Sequence, residues 1–259
     1  MRYASAMRLA IISDIHANVH ALEAVLTDIQ SNGADQVLCL GDLVGYNAFP
    51  RETLALLQDH GVKSVHGNHD LMALDRLPDD GCSSLGRQAI RWTRGVLTDE
   101  DWWYLAGLPA ELREQDALLC VHSAPGDALI RLERSEQFRA EAEGLMEADP
   151  GVRVCFTGHT HRQHVVMVMP DGEIQRSGDV DADLPRDAIC FVNPGTVGQP
   201  RDRDTRAAYA LFDADAWRVT FRRVFYDREP LLRQNRSVGL LAPSKLQRMA
   251  ARVLGYPRP

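Results

Sequence analysis

Carboxylates, imidazoles and one amide recur along this chain in five short clusters, each at the end of an apolar run: Ser13-Asp14-Ile15-His16, Gly41-Asp42, His66-Gly67-Asn68-His69-Asp70, Val121-His122-Ser123 and Gly158-His159-Thr160-His161. A single Asp-x-His is weak evidence, because a turn aspartate beside a surface histidine gives the same string. Five clusters in matching settings carry more weight. Mixed carboxylate, imidazole and amide donors without thiolate suit two divalent metals of borderline softness: manganese, iron or zinc. Magnesium alone, a hard ion that prefers oxygen, matches the set less well.

The elements that must position these side chains can be traced by hydrophobic pattern. Leu9 to Ile12, Val37 to Leu40, Ser64 to His66, Ala117 to Val121 and Val152 to Phe156 read as buried strands. Helical spacing over His20 to Gln30 and Arg51 to His60, each followed by a glycine, gives a strand, helix, strand repeat and so an α/β architecture. Right-handed crossovers predict a largely parallel first sheet, with ligands beyond the carboxyl ends of its strands. Ser83 to Arg94, Thr98 to Ala106 and Ser135 to Ala148 are expected helices. After Thr160 the expected strands Val165 to Met169, Ile189 to Val192, Tyr209 to Phe212 and Trp217 to Phe225 are separated by turns such as Pro170-Asp171-Gly172, which predicts a second sheet built mainly from hairpins.

The 259 residues carry a formal net charge of -7, which offers no general attraction to nucleic acid or an anionic membrane. An anionic substrate must be attracted locally. No apolar run approaches the roughly 20 residues of a membrane span, and Met1 to Ala6 has no apolar core of a signal peptide, so a cytoplasmic location is expected. Cys39, Cys120, Cys155 and Cys190 lie in apolar runs, where thiols act as small core residues, and there is no Cys-x-x-Cys pair.

The five clusters, in this order, resemble the calcineurin-like metallophosphoesterase superfamily, whose pattern is D-x-H, GD, GNH[DE], a His after a strand, and GH-x-H. Asn193-Pro194-Gly195-Thr196-Val197-Gly198-Gln199-Pro200-Arg201 also looks like a loop of its small bacterial members. The resemblance implies a four-layer α-β-β-α sandwich of two mixed sheets flanked by helices. It implies that Asp14, His16 and His161 hold a first metal, that Asn68, His122 and His159 hold a second, and that Asp42 bridges both. Manganese is the expected metal, with iron or zinc as alternatives. Two such ions acidify a bridging water for in-line attack on phosphorus. His69 would donate a proton to the leaving oxygen, with Asp70 as its orienting partner.

Within the family, the phosphoprotein phosphatases and diadenosine tetraphosphate hydrolases usually extend the second motif to GD-x-x-D-R-G, whereas this chain reads Gly41-Asp42-Leu43-Val44-Gly45-Tyr46-Asn47 and lacks that Arg. Its first motifs look more like those of compact bacterial phosphodiesterases, although Ala17 and Asn47 stand where Gly is common and Ser123 follows His122 where Gly is usual. The expected activity is cleavage of a nucleotide or other small organic phosphodiester. The alternatives are a phosphomonoesterase or nucleotide pyrophosphatase, and a non-catalytic scaffold like the retromer subunit of similar fold, whose metal site is degraded. Stable nucleic-acid binding is not expected.

Several residues admit plainer roles. His20, His60, His66 and His164 are expected to be solvated or structural. Asn193-Pro194-Gly195 reads as a tight turn. Arg201 either forms a surface salt bridge or grips a substrate phosphate through paired hydrogen bonds. Of Trp92, Trp102, Trp103 and Tyr104, most are expected to face the core and one or two to line a pocket. The enzyme domain is expected over residues 1–227, followed by a tail over 228–259 with one amphipathic helix across Leu240 to Leu254. The tail would dock or form a homo-oligomer, or else serve as a partner-binding or phosphate-contacting arm.

Overall fold

The computed structural model describes residues 7–80 and 82–241. β1 (Arg8–Ile12), β2 (Gln36–Cys39) and β3 (Lys63–Ser64) run parallel, joined through α1 (Val19–Asn32) and α2 (Pro50–Asp59). α3 (Asn68–Ala73), α4 (Ser84–Val96) and α5 (Asp99–Ala106) then carry the chain to a second layer. There β4 (Glu111–Glu114) pairs antiparallel with β5 (Leu118–Val121), and α6 (Ser135–Ala148) leads to β6 (Val154–Phe156), parallel to β5.

The remaining strands are β7 (Gln163–Val168), β8 (Ile174–Ser177), β9 (Ala182–Asp183), β10 (Ile189–Pro194), β11 (Ala207–Asp213) and β12 (Arg218–Val224). They do not form a sheet of their own. β11 pairs antiparallel with β1 and brings β12 and β9, giving one sheet of order β3-β2-β1-β11-β12-β9. β10 joins β6 in parallel and brings β7 and β8, giving the other sheet, β4-β5-β6-β10-β7-β8. The expected division into a parallel first sheet and a hairpin second sheet is therefore corrected: both sheets are mixed, each with a parallel trio extended by antiparallel partners. The apolar pattern of a strand reports that both its faces are covered, not which neighbour pairs with it.

Alternate side chains along each central strand divide the core. Leu9 and Ile11 of β1, Leu118 and Cys120 of β5, Val154 and Phe156 of β6 and Phe212 of β11 meet between the sheets. Ala10 and Ile12 turn outward under α1 and α2. Leu119, Val121, Cys155 and Phe191 turn outward under Phe138, Ala142 and Leu145 of α6. The result is the four-layer α-β-β-α sandwich. The four cysteines in apolar runs are all buried and free, as expected of core thiols.

Beyond β12, α7 (Glu229–Ser237) lies on the body of the fold, with Asn235 Nδ2 donating to Asn47 Oδ1 at 2.8 Å and Gln88 Nε2 to the Gly239 carbonyl at 3.0 Å. The expected tail helix falls, from residue 242 onward, outside the described residues. Among the described residues no helix is long and apolar enough to cross a membrane.

Candidate metal centre

The carboxyl ends of β1, β2, β3, β5 and β6 reach one rim, and so does that of β10. Each cluster lies just past its strand, so side chains as distant in sequence as Asp14 and His161 come within 3.2 Å of each other. The close approach of these turns depends on two glycines. A Cβ at Gly67 would overlap Asp42, and one at Gly158 would overlap Ser13 and crowd Asp14. Asp14, His16, Asp42, His159 and His161 all adopt positive φ, between 50° and 64°. Such strain costs of order 1–3 kcal/mol per residue and persists only where the surroundings over-determine it. Ala17, at φ 55°, shares this region, which accounts physically for the glycine common at its position in the family.

The site has two halves. In one, Asp14 Oδ1 stands 3.2 Å from His161 Nε2 and 3.8 Å from His16 Nε2, and the two imidazole nitrogens face each other at 3.2 Å. In the other, His122 Nε2 lies 3.0 Å from Asn68 Oδ1 and 3.2 Å from His159 Nδ1. Asp42 Oδ2 stands between them, 3.6 Å from His16 Nε2 and 3.5 Å from His122 Nε2, while its Oδ1 accepts the His69 N–H at 2.8 Å. Every one of these side chains is buried.

The outer contacts set the tautomers. Nδ1 of His16 contacts the Val44 carbonyl at 3.3 Å, that of His122 the Leu40 carbonyl at 2.8 Å, and that of His161 the Gln199 carbonyl at 2.6 Å. A carbonyl only accepts, so each Nδ1 carries the proton and each Nε2 aims a lone pair inward. Facing lone pairs at about 3 Å repel unless a cation stands between them. Asp14 Oδ1 is buried and without a hydrogen-bond partner, which is costly for a carboxylate unless it meets a cation. The donors thus fit divalent metal ions, and the groups Asp14–His16–His161 and Asp42–His122–His159 each converge closely enough to share one.

The protein's own electrostatics agree. Burial opposes charge on both Asp14 and Asp42, and with the neighbouring Asp14 it pushes Asp42 well above the usual carboxylate range. Two buried carboxylates cannot both ionise without added positive charge. Burial also keeps His16 well below its ordinary value and His159 at about 3, so these imidazoles are neutral, as ligation requires.

His69 sits at the rim of the first half, its ring edge-on to His16 with centroids 4.8 Å apart and tilted over Tyr46 at 4.6 Å. Burial and His122 hold it at about 3. Its buried Nδ1 has no hydrogen-bond partner. Asp70, expected to orient His69, is committed elsewhere: Oδ1 accepts the backbone N–H groups of Leu43 (2.9 Å) and Val44 (3.1 Å), and Oδ2 that of Gly67 (2.8 Å). Hydrogen bonding at the helix start is the cause. α3 begins at Asn68, and the carboxylate at its third position folds back on the turn before it. Asp70 therefore ties the loop carrying Asp42 to the turn carrying Asn68.

The Asn193–Gln199 segment does more than turn the chain. Asn193 Nδ2 donates to the Gly158 carbonyl at 2.6 Å, Thr196 Oγ1 to the Asp14 carbonyl at 2.7 Å, and the N–H groups of Val197 and Gly198 to the Ser13 and Asp14 carbonyls. It binds the Asp14 and His159 turns to one another. Asn47 similarly donates to the His16 carbonyl at 2.8 Å and receives the bond from Asn235 in α7.

Arg201 has no ion pair among the described residues, and its charge is felt by His16, Asp42 and His69. Arg131, which no motif marks, reaches His159 Nε2 with its Nε at 3.4 Å. His164 packs edge-on against Phe138 and His20 against Phe49, in line with structural roles. Trp102 and Tyr104 pack on the core beneath α1 and α2, Trp92 packs near Ala89, and Trp103 is 69% exposed.

Residues 7–216 match the calcineurin-like phosphoesterase superfamily domain. The chain is 33% identical over 227 residues to an uncharacterized protein of Methanocaldococcus jannaschii, covering 85% of this chain and 88% of that one. Its fold is similar to the crystal structure of a metallophosphoesterase from Sphaerobacter thermophilus, with 37% identity, 95% and 99% of the two chains covered and a TM-score of 0.74. A hypothetical protein from Pyrococcus horikoshii shares the fold at 20% identity, with 91% and 94% covered and a TM-score of 0.72. Fold and site together define a metal-dependent phosphoesterase. The chain belongs to the calcineurin-like phosphoesterase superfamily.

Proposed function

We propose that this protein is a phosphodiesterase for nucleotides or other small organic phosphodiesters, with two divalent ions, manganese foremost, in the site described above. Asp14, His16 and His161 would hold one ion and Asn68, His122 and His159 the other, with Asp42 shared. The observation that carries this reading is the placement of Asp42 Oδ2 between His16 and His122, within 3.6 Å of both ring nitrogens. Bound in this way, the ions supply Lewis acidity, which acidifies water and neutralises phosphoryl charge.

The chain's own groups do the rest. The backbone clips of Asp70, Asn193 and Thr196 keep the donors from reorganising when charge develops. His69, neutral in the protein alone, takes up a proton when an anionic substrate arrives beside it and passes that proton to the leaving oxygen. Arg201 grips a phosphoryl oxygen. Arg201→Ala should raise the Michaelis constant for an anionic substrate about tenfold, the share of one charge-assisted hydrogen bond, and an unchanged constant would remove Arg201 from the substrate site. A cytoplasmic location suits the five free thiols.

The reading is tested by the Mn²⁺-dependent rate on bis(p-nitrophenyl) phosphate against p-nitrophenyl phosphate, with chelator-treated protein as control. Faster diester cleavage is expected. Faster monoester cleavage would replace the reading with a phosphomonoesterase, and no metal-dependent rate on either would return the non-catalytic scaffold to consideration.

A further inference from the structure

A cleft of about 500 Å³ lies between the loop after His122 and the segment that follows the Gly67–Asn68 turn. Its volume is that of a small-molecule site. His122 is the shared wall: its Nε2 faces Asn68, His159 and Asp42, while the residue also lines the cleft. The cleft therefore begins where the second half of the metal centre ends.

Its chemistry differs from that of the centre. Leu71, Leu77, Ala124 and Leu129 make its walls apolar, and His66 adds a polar ring. Among the described residues no lysine or arginine lines it, whereas Glu111 and Asp127 do. Arg76, whose charge reaches His66, is turned to the Ala106 carbonyl and the Trp102 ring. A second phosphate would meet the carboxylates of Glu111 and Asp127 along this lining. Leu129 and Ile130 on the outer loop are 51% and 40% exposed, leaving apolar surface uncovered beside the opening. The loop is nevertheless held in place, since Ser123 Oγ donates to the Ile130 carbonyl and the Leu129 N–H to Asp127 Oδ1.

We infer that this cleft is the subsite for an ester substituent of the substrate, and that it takes an uncharged organic group of aryl or nucleobase size rather than a further phosphate. The inference rests on the phosphoesterase reading of the adjoining centre and goes further by assigning the organic part of the substrate to the His122 side. It also separates the two nucleotide chemistries: a phosphodiester with a base or aryl group fits, and a pyrophosphate running into the cleft does not.

The test uses the Mn²⁺-loaded full chain and two phosphonates whose carbon–phosphorus bond is not hydrolysed, phenylphosphonate and methylphosphonate, with binding followed by calorimetry. The wild type should prefer the phenyl compound by roughly tenfold or more, the gain from burying most of one ring. Ala124→Trp, which fills the cleft, and Leu129→Asp, at an exposed wall position that leaves folding intact, should each erase most of that preference while methylphosphonate still binds. Equal binding of both phosphonates by the wild type, or a preference untouched in both variants, would overturn the subsite alone. If neither phosphonate binds the Mn²⁺-loaded protein, the phosphoesterase reading of the centre falls, and the subsite with it.

Discussion

Asp42→Asn is expected to reduce turnover of a phosphodiester by more than the roughly 10–100-fold that loss of a supporting partner costs a metal site, and to weaken Mn²⁺ binding in parallel. The amide has the shape of the carboxylate and its oxygen can still accept the His69 N–H, so the fold should survive. What it loses is negative charge at an oxygen within 3.6 Å of both His16 and His122. If the amide nitrogen takes that place, it presents a donor to a space into which imidazole lone pairs already point. Steady-state rates together with metal content by atomic emission check this. Full activity in the variant would remove Asp42 from the bridging role.

His69→Ala is expected to leave metal content unchanged and to slow turnover by about 10²–10⁴-fold, the usual share of a general acid. The size of the loss should depend on the leaving group. An alkoxide needs the proton and should show the full effect, whereas p-nitrophenolate departs readily without it and should show little. The placement of His69 favours this pattern, because it rests on the rim against His16 and Tyr46 with an unpartnered Nδ1, and its backbone N–H donates to Asp42. Equal losses for both leaving groups would indicate a positioning role instead.

Much of this arrangement was legible in the sequence, for a physical reason. A strand buried on both faces must be continuously apolar, so β1, β2, β5 and β6 stand out, and the polar residues just beyond them fall on one rim. The strands without a clear apolar pattern, β4, β8 and β9, are all sheet edges. Glu111-Leu112-Arg113-Glu114 and Ile174-Gln175-Arg176-Ser177 are half exposed, and the charge that protects an edge also hides its pattern. α3 carries no helical pattern because its six residues are spent on the motif itself, and α7 carries little because Glu229–Ser237 is largely polar.

At the site, the types and spacing of side chains pointed to the donors but not to what holds them. Asp70 reads as a partner for the adjacent His69, yet adjacency along a helix start sends its carboxylate back to three backbone amides. Asn193 and Thr196 look like turn residues, and their second task, tying the Asp14 and His159 turns together, exists only once the sheets are stacked. Arg131 lies in an irregular loop with no periodic signal. The pairing of Asn47 with Asn235 spans 188 residues, beyond the reach of any local pattern.

On the proposed mechanism two metal ions act together at Asp42. It is tested most directly by titrating Mn²⁺ into chelator-treated protein and following hydrolysis of bis(p-nitrophenyl) phosphate against metal equivalents. Negligible activity is expected without metal, with a rise that levels off at two ions per chain in the wild type. Saturation at a single ion, or activity indifferent to chelation, would contradict it.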